Sequence, residues 1–252
     1  VTVDSGVFDG EGPAKGYCTV KCTYLAGICE MFSMTGQPPA QCVYFDGQGY
    51  CLEGCEIGPP GLTQFDPNKC HGRTEVACAP INLTDIGYVG SACFPQCNTD
   101  ADCGGGLSCN PKTGLCSNTV STGLPLGSEC SSPCAGKCAT LFTSADEPFT
   151  TICTEQCTFG ASPTCGWAGP GTGPAPAACL YPAFTSAFGE TGFGDLGHCG
   201  QLCDCNQDCS SASLTCVPWT GPGADANEAF FQRKGYCGDP KAEGAGTLPC
   251  TP

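Results

Sequence analysis

The chain has 252 residues, 27 of them cysteine, 37 glycine and 22 proline, and nine Lys and Arg against 24 Asp and Glu leave a formal net charge of -15. That balance excludes a binder of phosphate backbones, which needs clustered cations, and no apolar run is long enough to span a membrane. Cysteine on this scale calls for an oxidising compartment, so the chain is placed outside the cell or at its surface.

Glycine and proline at this density predict short strands, turns and irregular loops in place of long helices. The expected fold class is small, disulfide-rich and mainly β with irregular loops, built from tandem cysteine-rich modules in two similar units. Val1, Val3 and Val7 predict one short strand followed by a turn. Lys15-Gly16-Tyr17-Cys18 recurs as Lys234-Gly235-Tyr236-Cys237. The match suggests that the chain opens with the last strand of a preceding module, a strand suited to completing a neighbouring subunit by strand addition. The competing account is a common turn-to-bridge tripeptide, since Gly49-Tyr50-Cys51 repeats it. Starting at Val1 without Met, the chain is expected to be a processed protein or part of a longer one.

From Cys22 the cysteines run 22, 29, 42, 51, 55, 70 and 78, and a second run at 130, 134, 138, 153, 157, 165 and 179 matches it seven for seven. Each contains a predicted β-hairpin, with Val43–Phe45 and Thr140–Phe142 in the first strands and turns at 46–49 and 144–148. A compact frame follows the first run at Cys93, Cys97, Cys103, Cys109 and Cys116. Its spacing is echoed by Cys199, Cys203, Cys209 and Cys216, with Cys237 closing the second copy. So little Val, Ile, Leu or Phe lies in the first frame that cross-links must replace an apolar core. The expected division is an N-terminal strand segment (1–18), hairpin module 1 (19–89), frame 1 (90–120), hairpin module 2 (121–195) and frame 2 (196–252).

Twelve cysteines per unit leave Cys18, Cys205 and Cys250 as an odd set, the candidates for unpaired or inter-subunit cysteines. Spacing alone does not fix the pairing. Of the remaining stretches, 166–178 reads as an extended, mobile surface loop. Residues 183–195 set Phe184, Phe188 and Phe193 among glycines, to pack against disulfides or to form a sticky patch. Ala226–Arg233 reads as one short helix.

Signals for chemistry are few. Asn98–Asp102 places oxygen ligands at alternate positions, which makes Asp100 and Asp102 candidate calcium ligands, although a plain surface turn reads the same way. Cys203–Cys209 superficially resembles a thiolate cluster, but only His71 and His198 are available as imidazole ligands, so zinc is not expected. No GxSxG, HExxH, phosphate-loop or CxxCH motif occurs, no catalytic residue is nominated, and an enzyme is not expected. Asn82-Leu83-Thr84 fits the N-glycosylation sequon.

The text Cys97-Asn-Thr-Asp-Ala-Asp-Cys-Gly-Gly-Gly-Leu-Ser-Cys109 with a later Gly-Leu-Cys116 resembles the Dickkopf-like and EGF-like cysteine-rich modules of extracellular proteins. It is most similar to the cysteine-rich repeats of myxobacterial-type secreted or outer-surface proteins. The likeness covers about 25 residues and, more loosely, the second frame, where Cys205 is additional. It implies an extracellular scaffold or interaction role and carries no catalytic residues. The leading expectation is a non-enzymatic structural subunit of a surface fibre, sheath, coat or adhesive stalk, associating head to tail with itself. The alternative is a soluble binding module, such as a lectin, a protease inhibitor or a ligand-binding ectodomain fragment, with a surface or glycan partner.

Overall fold

The computed structural model describes residues 11–13, 15–23, 27–33, 38–45, 47–57, 69–83, 88–142, 150–183, 194–239 and 246–250. The strand expected over Val1–Val7, the phenylalanines at 184, 188 and 193, and the turn at 144–148 lie outside them. Small antiparallel sheets and short 3₁₀ turns are stitched by thirteen disulfides, which take up every cysteine except Cys18. The fold is disulfide-rich and mainly β.

Twelve of the bridges follow one rule. With Cys205 set aside, cysteines from Cys22 to Cys237 are used in consecutive fours, the first bonded to the third and the second to the fourth. In the first unit the bridges are Cys22–Cys42 with Cys29–Cys51, Cys55–Cys78 with Cys70–Cys93, and Cys97–Cys109 with Cys103–Cys116. In the second they are Cys130–Cys138 with Cys134–Cys153, Cys157–Cys179 with Cys165–Cys199, and Cys203–Cys216 with Cys209–Cys237. Six quartets result, three in each unit.

The strands explain the rule. Quartet 1 holds β1 (Lys21–Cys22), β2 (Gln41–Phe45) and β3 (Gln48–Leu52); quartet 2 holds β4 (Val76–Leu83) and β5 (Tyr88–Pro95); quartet 3 holds β6 (Ser108–Asn110) and β7 (Leu115–Ser117). Quartet 4 holds β8 (Lys137–Phe142) and β9 (Thr150–Thr154); quartet 5 holds β10 (Gln156–Thr158), β11 (Ala177–Pro182) and β12 (Leu196–Cys203); quartet 6 holds β13 (Thr215–Pro218), α1 (Ala224–Phe231) and β14 (Gly235–Gly238). In all six, the third and fourth cysteines are register partners across an antiparallel pair: Cys42 with Cys51, Cys78 with Cys93, Cys109 with Cys116, Cys138 with Cys153, Cys179 with Cys199 and Cys216 with Cys237. Directly opposed residues send their side chains from the same face of the ladder, so both bridges leave together and form the centre of the quartet.

The segment bearing the first cysteine hydrogen-bonds to the strand of the fourth. This is the β1–β3 pair in quartet 1, the β10–β12 pair in quartet 5 and the β12–β14 pair in quartet 6. In quartets 2, 3 and 4 the contact is shorter, through Cys93 N to Glu53 O, Cys97 N to Gly114 O and Cys153 N to Ser128 O. The approach is close enough to require glycine: a Cβ on Gly49, opposite Cys22, would stand 2.5 Å from the Cys22 carbonyl oxygen. The hairpins expected around 41–52 and 137–154 are β2–β3 and β8–β9.

The two units fold back on one another. Lys69 pairs with Asp195 at 3.1 Å, Asp195 N donates to Cys78 O at 2.7 Å, and the Asn98 carboxamide oxygen accepts from Thr158 N at 2.8 Å. Gly12 exchanges two 3.0 Å hydrogen bonds with Cys116.

Loop 166–178 lies at the surface but is anchored at Trp167 and Ala175. Trp167 is buried and hydrogen-bonds through Nε1 to Gly173 O at 3.2 Å, Ala175 N donates to Phe231 O at 2.9 Å, and the segment runs into β11. Its tryptophan has found Phe230 and Phe231 of α1, with ring centroids 5.3 and 5.5 Å away. The helix begins two residues earlier than Ala226, following Gly223 at φ 97°, and stops where Gln232 turns left-handed and caps Glu228 O.

Candidate functional site

Of the three surplus cysteines, two are bonded to each other. The Cys205–Cys250 bridge, with a Cα separation of 4.9 Å, pins residues 246–250 beside quartet 6, where Leu248 N donates to Cys216 O at 2.8 Å and Asn206 N to Leu248 O at 2.9 Å. Neither cysteine is therefore available between subunits, a correction to the expected set. Cys18 alone is unpaired, and it is exposed.

The place of Cys18 in the pattern is informative. Successive quartets within a unit join with three residues between the fourth cysteine of one and the first of the next, at 51/55, 93/97, 153/157 and 199/203. Cys18 stands in the same relation to Cys22 and follows Gly16-Tyr17, as Cys51 follows Gly49-Tyr50 and Cys237 follows Gly235-Tyr236. It occupies a fourth position, and every second-position cysteine of the chain is already bonded.

Cys18 lines a cleft of about 480 Å³ formed mainly by residues 15–20, residues 51–54 at and beyond the end of β3, and Cys70, His71, Arg73 and Val76, a size ordinary for ligand pockets. Val20, Leu52 and Val76 give it apolar walls. The polar groups are tied to one another. The Tyr17 hydroxyl accepts from Glu53 N at 3.0 Å, and burial pushes its ionisation up to about 12. His71 Nε2 lies 2.9 Å from Glu53 Oε1, a carboxyl raised above its ordinary range by desolvation, with His71 and Arg73 opposing. Arg73 donates to Glu75 Oε1 at 2.8 Å and to Gly16 O at 2.8 Å, and its guanidinium lies over the Tyr17 ring, 5.9 Å from the centroid. The Glu75 side chain is fully buried; its Oε1 accepts from Arg73, and its Oε2, 3.7 Å from Lys15 Nζ, has no hydrogen-bond partner among the described residues. Removing Arg73 would leave this buried carboxyl unsatisfied.

Sequence reasoning missed Tyr17, Glu53, Arg73 and Glu75. Arg73 and Gly16 lie 57 residues apart and meet only in the folded chain, where the Cys51 N–Val20 O and Glu53 N–Tyr17 Oη hydrogen bonds hold residues 15–20 beside residues 51–53. The one available signal was the pair Arg73 and Glu75, opposite charges two apart in a chain with few cations.

The remaining sequence candidates are placed elsewhere. Asp102 Oδ2 accepts from Asn98 N and Thr99 N at 2.9 and 3.0 Å, and Asp100 Oδ1 accepts from Cys109 N at 2.8 Å. These carboxylates, the calcium candidates, are thus engaged by backbone amides of quartet 3. Asp208 repeats the Asp102 arrangement in quartet 6, accepting from Asp204 N and Cys205 N at 2.7 and 3.1 Å. Cys203 and Cys209 are consumed by disulfides and offer no thiolate. Asn82 lies in β4 opposite Val89 in register, with Thr84 beyond the described residues. His198 lies in β12, away from the cleft.

The cleft can hold a small ligand or a side chain against apolar walls beside an exchangeable thiol. No family model, curated protein or solved structure matches the chain, so the likeness of residues 93–116 to Dickkopf-like and EGF-like modules rests on that text alone.

Proposed function

We propose that the chain is a non-enzymatic structural subunit of an extracellular assembly, a surface fibre, sheath, coat or adhesive stalk. The observation that carries this reading is the use of cysteine: six copies of one bridged quartet staple the chain, and a single exposed thiol remains, spaced from Cys22 as the fourth cysteine of a quartet is from the next within a unit. An extracellular setting follows from the bridges themselves. Each bridge restricts the unfolded chain and stabilises by roughly 2 to 4 kcal/mol, so a protein exposed to proteases gains durability from a fold with little apolar core.

One thiol per chain limits the covalent chemistry. Identical chains joined through this thiol alone can form a Cys18–Cys18 disulfide, the two thiols losing two protons and two electrons to a disulfide oxidant of the extracellular medium, in an isologous contact that closes at two. Longer assembly among identical chains propagates through non-covalent surfaces, with the covalent pair as a building block. The expected result is therefore a dimer band on gels without reductant, lost with reductant and in Cys18→Ser, together with filaments or sheets in negative-stain images of native material. A compact monomer, unchanged by reductant and forming no assembly at high concentration, overturns this reading.

A second reading, a soluble extracellular binding module, is favoured by the cleft beside Cys18. It predicts monomers in solution together with saturable binding of a glycan or a protease, abolished by filling the cleft with Val20→Trp.

A further inference from the structure

Strand β12 is the hub of the second unit, hydrogen-bonded to β10, β11 and β14. His198 stands at its middle, in register with Gln156 of β10 and Tyr181 of β11. The residue is 8% exposed, and its Nδ1 is buried without a hydrogen-bond partner. A neutral imidazole tolerates this, because one ring nitrogen then carries no proton. An imidazolium has two N–H donors and a net charge, and among the described residues this site supplies no acceptor for Nδ1 and no counter-ion.

The groups around the ring do not relieve the problem. β10 brings an uncharged amide, Gln156, and β11 brings Tyr181, whose hydroxyl donates to Cys237 O at 3.2 Å. β8 brings the ammonium of Lys137, of the same sign as a protonated ring. Glu155, just before β10, is itself raised by desolvation toward its neutral form. Among the described residues no ion pair reaches His198. The chain's other histidine differs on every count, being half exposed and paired with Glu53 at 2.9 Å.

We propose that His198 is an acid-sensitive latch: proton uptake by its buried ring loosens the pairing of β12 with β10 and β11, while the disulfides keep the opening local. The bridges Cys157–Cys179, Cys165–Cys199 and Cys203–Cys216 hold these strands in reach of one another, so opening is reversible. Burial first, and Lys137 second, push the imidazole down to about 4 from an ordinary 6.5. The open form therefore takes up the proton first. The closed form has its full stability above pH 6.5 and loses it as pH falls from 6.5 toward 4.

Two measurements on the full chain test this. The first is an NMR titration of both imidazoles, assigned with His71→Gln. A His198 midpoint well below 6.5 is expected, and one at or above 6.5 overturns the latch. The second is amide hydrogen exchange in β10 and β12, corrected for intrinsic rates, in the unaltered chain and in His198→Gln. Protection is expected to fall on the order of 100-fold between pH 7 and pH 4 in the first and much less in the variant. Equal pH slopes in the two chains overturn the proposal. If His198→Gln does not fold, the titration of the unaltered chain decides alone.

Discussion

Quartets 3 and 6 close their units with the same bridge plan and the same carboxylate cap, yet they are filled differently. In quartet 3 the cluster of buried residues is Cys97, Cys103 and Cys116, with Leu107 and Cys109 packed against it. The half-cystines are nearly the whole core. In quartet 6 the segment between Cys216 and Cys237 is long enough to carry α1, which brings Phe230 and Phe231 against Trp167, while Trp219 stacks on Phe231 with centroids 5.9 Å apart. Leu214 and Leu248 join Ile152 of quartet 4 around the bridges. The shared part, bridges and cap, specifies the turn of the chain. The added part supplies apolar burial that quartet 3 lacks.

The strongest way to break this comparison is to remove the added part. Phe231 is 2% exposed at the centre of the aromatic cluster, and Phe231→Ala is expected to cost about 3 to 5 kcal/mol. The two tryptophans of the chain, Trp167 and Trp219, both lie in that cluster, so their fluorescence reports its unfolding and nothing else. The midpoint of that transition in denaturant should drop sharply, while amide protection in β6 and β7 stays as it was. An effect spread evenly over both units would mean that they unfold as one body.

A smaller effect sharpens the contrast. Cys103→Ala with Cys116→Ala, and Cys209→Ala with Cys237→Ala, remove the same bridge from the two quartets, at about 3 kcal/mol each on a loop-entropy estimate. Quartet 3 has no apolar reserve, so protection over 97–117 should vanish in the first variant. Quartet 6 keeps Cys205–Cys250 and the aromatic cluster, so α1 and β13 should stay protected in the second. Equal losses would show that the aromatic cluster contributes no independent stability.

How much of this was legible follows from the same contrast. Cysteine content and local period carry the oxidising compartment and the hairpins at 41–52 and 137–154, because those depend on residue type and neighbouring residues. The pairing does not follow from them. Cys-x3-Cys marks the joint between quartets at 51/55 and 153/157, but the same spacing occurs inside quartet 4 at 130/134 and 134/138, so seven-plus-five and three-times-four group twelve cysteines equally well. Register decides, since only strands that place Cys78 opposite Cys93 and Cys179 opposite Cys199 send both side chains to one face. The cleft was illegible for a related reason: Tyr17 lies more than fifty residues from Arg73 and Glu75 in sequence and meets them only in the folded chain. Trp167 was misread because glycine and proline around it describe the backbone's freedom and say nothing of the aromatic partner on α1.

The smallest expected effect tests what the two quartets share. Asp102→Asn and Asp208→Asn keep the shape of the cap but replace a carboxylate that accepts two backbone N–H groups with a neutral amide, which should cost about 1 kcal/mol or less in each. The N–H groups of Asp204 and Cys205 hold the Asp208 carboxyl below its ordinary range. Its contribution is therefore complete above the unfolded value and is lost only as pH falls through the lower folded one, in a window below about pH 4. That window lies beneath the one assigned to His198, so the acid response of the second unit should separate into two steps. Removing the upper step with His198→Gln and the lower with Asp208→Asn would assign them. Quartet 3 has the cap without the histidine, and protection of β6 and β7 should show no step between pH 6.5 and 4. A step there would mean that acid loosens something common to both units, and the difference between them would then lie in apolar filling alone.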